Sequence, residues 1–396
     1  MSKCFLCGTG LWQQPYMADG VQASACLTAT YGSLKAALQR FAKLQCGAFV
    51  TGLLLMACMP SPAATPPATS TPAPTAAARE VVTLESPTAA LPTLALTPTP
   101  APDRGIRGPA PAHAVWTMGK PMIPPYRSEM PAVVLDGMIY VPGGFGGESR
   151  LDRYDPAADE WEALAGMPDG RHHLMAAAHG GYLYVFGGST AGGFNPTNTV
   201  WRYDPAANAW SELGSMPERR MSGAAVTIGD KVYVAGGMGD SDSLLEFTPD
   251  TGEWRILSGG LHPRDHANAV AFEGKIWPIG GRGAGGETNA VEIFDPATET
   301  WSAGPPLNIA RAGFAAAVVD GRIMVAGGEV IVSGRETLGS LEIFEPGDNA
   351  WRPGPDTLQP IHGVGGASIS GRFYLLGGSS EAAGIANSGM VQIYLP

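Results

Sequence analysis

Five arginines recur at matching places in the chain, each sixteen residues before a pair of glycines. The sixth such place holds Ile361, which is followed by His362. A guanidinium group can bind a carboxylate or sulfate through two parallel hydrogen bonds, so several of them around one opening would form an anion site. Together with polar residues nearby, they form the candidate ligand-binding set: Arg127, Arg171, Arg220, Arg264, Arg311, His362, His266, Asp265 and Arg282. Each arginine could instead pair with an adjacent carboxylate or carbonyl, and the sequence leaves both roles open.

The residues suited to catalysis are fewer than those suited to binding. Glu129, Asp265 or His266 could serve as an acid/base pair beside a bound carboxylate, but no spacing singles them out. His262 and His266 are four residues apart on an expected loop, where that spacing does not place them on one face. All five cysteines lie within the first 58 residues, which excludes thiolate chemistry from the rest of the chain. We therefore assign no catalytic residue, no metal site and no cofactor.

The charge of the chain is divided unevenly along its length. Residues 113–396 contain 18 basic and 32 acidic side chains, which gives a net charge of −14. A body of this charge repels phosphate backbones, so nucleic-acid binding is not expected. A group of arginines on it would be a local site for an anion.

The elements that position these residues repeat six times. Pairs of glycines end six apolar runs, at intervals of 44, 49, 44, 47 and 50 residues. Each pair is followed by an aromatic-x-Pro turn, and in five repeats a tryptophan lies five residues beyond that proline. This period predicts four short antiparallel strands per repeat, named a to d in chain order. The glycine pairs begin at Gly143, Gly187, Gly236, Gly280, Gly327 and Gly377.

The two ends of the repeat region complement each other. The sixth repeat stops at Pro396 without a tryptophan, whereas Trp116 precedes the first repeat. A ring in which the strand at Trp116 completes the last blade accounts for both ends, and closure removes the open sheet edges. Because such a ring needs no partner to cover its edges, we expect a monomer.

The combination of diglycine, aromatic-Asp-Pro and tryptophan resembles the Kelch repeat over about residues 113–396. The resemblance implies an all-β fold, a six-bladed Kelch β-propeller. Thr248, Glu345 and Leu395 depart from the pattern at its Asp position. Some Kelch-like propellers are enzymes, including copper galactose oxidases and a sialic acid epimerase. The oxidases require a tyrosine crosslinked to a cysteine, and residues 113–396 contain no cysteine.

Variation in length is confined to one connection of the repeat. From the second glycine to the aromatic residue, the b–c stretch spans 10, 15, 10, 13, 16 and 16 residues. The b–c and d–a loops emerge on the same face, which favours a recognition surface there. The leading hypothesis is a binding module for an anionic glycan or an acidic peptide or protein segment. One alternative is a carbohydrate-active enzyme, namely an isomerase or lyase of acidic sugars. The other is an architectural repeat protein.

The chain before the repeats divides into three segments. Residues 1–39 are an unassigned extension, residues 40–58 resemble a signal peptide, and residues 59–112 form a tether rich in Pro, Thr and Ala. The signal ends in Leu55-Met56-Ala57-Cys58, which resembles a bacterial lipobox with Cys58 as the lipidated residue. We expect export to the cell surface or periplasm and a lipid anchor in a bacterial membrane. A cleaved signal or a short anchor is the alternative.

Overall fold

Six antiparallel sheets follow one another around a central channel. The structure is a computed structural model, and it describes residues 114–190, 192–240, 243–257, 262–332 and 334–396. The strands of each sheet are ordered a, b, c, d from the channel outwards. The described residues contain no α-helix, and thus no helix long and apolar enough to cross a membrane. The predicted all-β, six-bladed propeller is confirmed.

The strands of every blade follow the repeat closely, from strand a to strand d. Blade 1 consists of Val133–Leu135, Met138–Pro142, Leu151–Asp155 and Glu160–Ala163. Blade 2 consists of Met175–His179, Tyr182–Phe186, Thr197–Asp204 and Ala209–Met221. Blade 3 consists of Ala224–Ile228, Lys231–Ala235, Leu244–Thr248 and Glu253–Leu257. Blade 4 consists of Asn268–Phe272, Lys275–Ile279, Glu292–Asp295 and Thr300–Ala303. Blade 5 consists of Ala315–Val319, Arg322–Ala326, Leu341–Phe344 and Arg352–Pro353. Blade 6 consists of Gly365–Ile369, Arg372–Leu376, Val391–Leu395 and Val115–Gly119.

The ring closes as the orphan tryptophan predicts. Val115–Gly119 pairs with Val391–Leu395, and Trp116 lies opposite Tyr394 in the register. The Trp116 indole N–H donates to the Pro355 carbonyl at 2.9 Å, four residues beyond Trp351 of the preceding blade. The Trp161 indole N–H of blade 1 likewise donates to Lys120, four residues beyond Trp116. The first and last parts of the propeller are thus joined by a β-ladder and by the same inter-blade bonds as other neighbouring blades.

The diglycines mark the closest approach between neighbouring blades. In all six blades the second glycine donates its N–H, at 2.8 Å, to the carbonyl at the arginine position of the next blade. Around the ring these bonds lead from Gly378 to Arg127 in the same way as from Gly188 to Arg220. The first glycine has a positive φ, and a Cβ on Gly187 would lie 2.2 Å from the Arg220 carbonyl oxygen. Only glycine fits such a position.

Replacing Gly187 with Ala should lower the free energy of unfolding by about 2–3 kcal/mol, because left-handed strain and a clash with backbone combine. Gly180 is the matched control: its φ of 59° is close to the 54° of Gly187, but a Cβ there meets nothing within 4 Å. We expect Gly180→Ala to cost only about 1 kcal/mol. Denaturant unfolding of the full chain measures both. Equal losses would show that the close approach carries no energy.

The predicted signal, Cys58 and tether all lie outside the described residues. They stay predictions, as does the boundary at residue 113.

Candidate functional site

The five recurring arginines are buried inside their blades. Their side chains are at most 2% exposed, and each guanidinium lies against a carboxylate of its own blade. Arg127 also donates to the Val141 and Gly143 carbonyls at 3.2 and 2.7 Å. Burial lowers the pKa of Arg127 to about 10, although Asp152 opposes the shift. Ligand binding by these arginines stays a prediction, and their contacts are those of the structural alternative.

The carboxylate partner comes from two different places. In blades 1, 4 and 5 it lies on strand c, as in the pairs Arg127–Asp152, Arg264–Glu292 and Arg311–Glu342 at 2.6, 2.6 and 2.8 Å. In blades 2 and 3 it lies two residues before the arginine, as in Arg171–Asp169 and Arg220–Glu218 at 2.5 and 2.6 Å. Asp169 is on the d–a loop, whereas Glu218 is within the long strand Ala209–Met221. Each described blade with the arginine therefore supplies its counter-charge.

Blade 6 contains neither the arginine nor the strand-c carboxylate. Ile361 replaces the arginine, and Gln392 occupies the strand-c position of the carboxylate. The Gln392 side chain instead bonds both the N–H and the carbonyl of Gln359, at 2.9 and 3.0 Å. Since the acid is absent where the arginine is absent, the pair behaves as one structural unit.

Two positions after each of the five arginines and after Ile361, six residues form a closed ring around the channel. Each has a φ between 49° and 62°, the left-handed region. Each donates its N–H to the carbonyl of the equivalent residue in the preceding blade, at 2.7–2.9 Å, until Glu129 donates to Gly363. The six residues, which we call the channel ring, are Glu129, His173, Ser222, His266, Gly313 and Gly363. A continuous ring of backbone bonds fixes the positions of its side chains.

Three side chains of the channel ring converge. His173 Nε2 lies 3.0 Å from His266 Nε2, and Glu129 Oε2 lies 3.6 and 3.8 Å from those two atoms. All three side chains are largely buried. His/His/Glu side chains whose ligand atoms lie within 4.8 Å of one another can hold a metal ion.

A second layer of residues supports this cluster. His266 Nδ1 bonds the Asp265 carboxylate, and His173 Nδ1 lies 2.7 Å from His172 Nδ1. His362 Nδ1 lies 3.5 Å from Glu129 Oε1 and 3.4 Å from Glu329 Oε2. Within a blade, the residue after the arginine position and the residue after the diglycine exchange two backbone hydrogen bonds, as Asp265 and Arg282 do. These bonds bring the second layer together.

The electrostatics of the channel mouth are acidic. Arg282 lies 3.0 Å from Glu287, 2.6 Å from Glu329 and 3.9 Å from Asp265. Three carboxylates thus surround one guanidinium, and Glu129, which contacts His266, adds a fourth carboxylate to the mouth. Such a mouth attracts cations more than anions unless its histidines are protonated.

The pKa values in the cluster are shifted in opposite directions. Burial alone would raise the pKa of Glu129, but the surrounding histidines, His173 first, hold it far below its usual value. Burial lowers the pKa of His173 to about 3, against the pull of Glu129. Burial also lowers the pKa of His266 and His362, but the carboxylates around them outweigh it and raise both values.

The channel behind the ring is narrow. It encloses about 180 Å³ and is lined mainly by small strand-a residues such as Ala176, Ala269 and Ala316. Sites for small organic ligands typically measure about 300–1,000 Å³. The channel volume is below that range, and it is ample for water or a metal ion.

The loop face, which consists of the d–a and b–c loops, carries exposed apolar side chains. Phe194, Val332 and Ile385 are 62%, 69% and 72% exposed, and each lies in one of the three longest b–c stretches. The other large exposed apolar residues of the loop face are Tyr126, Met238, Ile309 and Leu358. Those elsewhere in the described residues lie on the outer strands, namely Val115, Met118, Leu213 and Ile256. The turns of the opposite face contribute none in the described part of the chain.

Four neighbouring blades bring these side chains into an arc. The loops of blades 5 and 6 are joined by Thr337 and by Glu329, which accepts the Ala383 N–H at 2.7 Å. A groove of about 650 Å³ lies between those two loops. Asn387 next donates to the Phe145 carbonyl in blade 1, and the Phe145 ring lies 6.1 Å from that of Phe194. The arc thus runs over blades 5, 6, 1 and 2 and passes beside the channel mouth.

Some of the residues predicted from the sequence lie close together, although ligand binding by them stays a prediction. His266, Asp265, His362 and Arg282 do come together at the channel mouth. His173 was missed as a partner of Glu129 and His266, because the three lie in different blades. Their common offset of two residues from the arginine position was the available signal.

These features define a closed Kelch-type propeller with a polar channel mouth. A model of the KLHDC2/KLHL20/DRC7 Kelch-repeats domain matches residues 114–260 and 214–378. The chain therefore belongs to the Kelch-repeat family.

Individual proteins are similar over parts of their length. Kelch-like protein 23 of Homo sapiens is 30% identical over 216 residues, which cover 54% of this chain and 30% of that protein. Kelch-like protein 35 of Mus musculus is 34% identical over 179 residues, which cover 44% and 31%. The chain thus matches about 30% of the length of these relatives. The solved "Structure of YjhT" has a TM-score of 0.60 and 20% identity, with coverage of 68% of this chain and 94% of that one. At that identity the similarity shows the fold alone.

Proposed function

We propose that this chain is an interaction module whose loop face binds a segment of another protein. The observation that carries the proposal is the asymmetric placement of exposed apolar side chains, seven on the loop face and none on the opposite turns of the described residues. Exposed apolar groups rimmed by polar residues mark protein-binding surfaces. Similarity to Kelch-like proteins supports the same class of function.

The apolar arc, rather than the arginines, is the main contact in this proposal. An anionic glycan or an acidic segment, the ligands expected from the sequence, would have to draw the guanidiniums away from their carboxylate partners, which are buried in blades 1, 4 and 5. Breaking such pairs is costly. Phe194, Val332 and Ile385 are open to a partner without rearrangement. A partner segment with apolar side chains fits them and the groove between blades 5 and 6.

Replacement of Phe194, Val332 and Ile385 by Ser should weaken partner binding at least about tenfold, because a few apolar anchors carry most of the binding energy. The probe is a peptide selected from a random displayed library on the immobilised full chain. The matched control replaces the exposed outer-strand residues Met118, Leu213 and Ile256 by Ser. Titration of the peptide into each variant measures the affinity.

Two results would contradict the proposal. One is equal affinity for the loop-face variant and the wild-type chain. The other is a fall of about tenfold or more when sodium chloride is raised from low to near-molar concentration, which would indicate an anionic ligand instead.

We place this module outside the cytoplasm, anchored through Cys58. The basic and apolar run before Cys58 and the Pro-rich stretch after it support this location. Lipidation would hold the propeller at a membrane while the tether extends its reach. Cys58→Ala should move the full chain from the membrane fraction to the soluble fraction of a bacterial host. An unchanged distribution would contradict the anchor.

A further inference from the structure

We propose that Glu129, His173 and His266 of the channel ring bind a divalent transition-metal ion, with Zn²⁺ as the best match. The proposal is independent of the loop-face function, because it rests on other residues. Two imidazoles and a carboxylate form a three-ligand set that leaves a coordination position open for water or another ligand.

The distances between the three ligand atoms fit one ion. They are 3.0 Å between the two Nε2 atoms and 3.6 and 3.8 Å from these to Glu129 Oε2. A triangle with these sides has a point about 2.0 Å from all three corners, which matches zinc–nitrogen and zinc–oxygen bond lengths. The side chains need no movement to bring an ion within bonding distance.

The outer contacts orient the imidazoles toward that point. Asp265 holds a proton on His266 Nδ1, so the Nε2 lone pair faces the cluster. A carboxylate behind a metal-binding histidine is the usual supporting arrangement, since it fixes the tautomer and strengthens the ligand. His172 can accept a hydrogen bond from His173 Nδ1 in the same manner. Two Nε2 lone pairs then face each other beside the Glu129 carboxylate, and a cation between them removes their repulsion.

The same side chains permit two arrangements without a metal. A doubly protonated His266 could donate its Nε2–H to His173 Nε2. Alternatively, His172 could donate to His173 Nδ1, and the Nε2–H of His173 could then donate to His266 Nε2. These hydrogen-bonded arrangements are the alternatives that the experiment must exclude. Hydrogen positions on imidazoles follow from the partners present, so the geometry of the nitrogens fits these arrangements as well as the ion.

Charge and an unpaired hydroxyl favour the ion. The mouth carries the carboxylates of Glu129, Asp265, Glu287 and Glu329, and the Arg282 guanidinium contacts the last three of them. Ser222 of the channel ring lies between His173 and His266 in ring order, and its buried Oγ has no hydrogen-bond partner among the described residues. Buried polar atoms are rarely left unpaired, so this hydroxyl points to a group outside the protein chain, such as a metal-bound water.

Zinc titration of the full chain tests the proposal. The cysteines, all within the first 58 residues, are first alkylated and residual metal is removed with a chelator, so that thiolates cannot bind the ion. The decisive variant is His173→Asn with His266→Asn, since asparagine tolerates the left-handed backbone at these positions. His179→Asn, on the strand of blade 2 that follows the ring, is the matched control.

We expect one zinc ion per wild-type chain and per His179→Asn chain, and none at this affinity in the double variant. Calorimetry gives the stoichiometry, and a zinc-dependent rise in melting temperature gives an independent reading. Absence of zinc binding to the alkylated wild-type chain, or equal binding to the double variant, would overturn the proposal.

Two milder changes keep the test decisive if the double variant does not fold. Asp265→Asn leaves the three ligands in place, and we expect it to weaken zinc binding about 10–100-fold. Glu129→Gln keeps the shape of the side chain and should also weaken binding. Unchanged zinc affinity in both variants would show that the ion binds elsewhere and would overturn the proposal. Peptide binding to the loop face should persist in all of them, so failure of one proposal leaves the other testable.

Discussion

Arg311→Met should lower the free energy of unfolding by about 3–5 kcal/mol, because it leaves a buried carboxylate without its partner. The Arg311 and Glu342 side chains are 0% and 2% exposed and 2.8 Å apart. Glu342 also accepts the N–H groups of Asn308 and Ile309, while Arg311 donates to the Gly327 and Ser340 carbonyls. The pair therefore ties the d–a loop to strands b and c of its blade.

Blade 6 supplies the compensating variant. Arg311→Ile combined with Glu342→Gln reproduces the Ile361 and Gln392 combination, and it should recover most of the lost stability because no charge stays buried alone. Arg352→Met is the control: this side chain forms an exposed pair with Asp348, so its loss should cost at most about 1 kcal/mol. Chemical denaturation measures all three. A loss below about 1 kcal/mol for Arg311→Met would show that the arginine is free for another role.

Trp116→Ala should cost about 3–5 kcal/mol, as other large-to-small changes in protein cores do. The Trp116 ring lies 5.2 Å from that of Tyr394 and 6.4 Å from that of Phe373, and it is buried between blades 5 and 6. Its loss removes this packing and the bond to Pro355 at the place where the ring closes. Unfolding should therefore begin at a lower denaturant concentration.

Met118→Ala on the same strand is the matched control for closure. Its side chain is exposed, so we expect a change of at most about 0.5 kcal/mol. Equal effects of the two substitutions would mean that the N-terminal strand adds little to the stability of the propeller. The account of closure by the strand at Trp116 would then be wrong.

The fold could be predicted from the sequence because its determinants are local and repeated. Each diglycine, aromatic residue and tryptophan recurs at a nearly fixed spacing, and the unmatched Trp116 indicates where the ring closes. The six-bladed architecture follows from that count. The packing of Trp116 against Tyr394 then confirms it in detail.

The roles of the arginines could not be predicted because their partners vary in position. Asp152 and Glu342 lie on strand c, whereas Asp169 and Glu218 lie two residues before their arginines. No single spacing reveals both arrangements. The exchange of both charges in blade 6 becomes meaningful only when the structure shows which side chains meet.

The channel cluster required the backbone as well as the repeat. His173 and His266 are 93 residues apart and lie in separate blades. Their left-handed φ values place both side chains in the channel ring, and residue type alone does not reveal that conformation. The repeat places the positions, and the local backbone determines which side chains converge.

The most direct test of the loop face as the functional surface is hydrogen–deuterium exchange of the full chain, with and without the selected peptide. We predict slower exchange in the b–c loops of blades 2, 5 and 6, and unchanged exchange in the a–b and c–d turns of the opposite face. Protection confined to those turns or to the outer strands, with unchanged exchange in the three loops, would contradict the account.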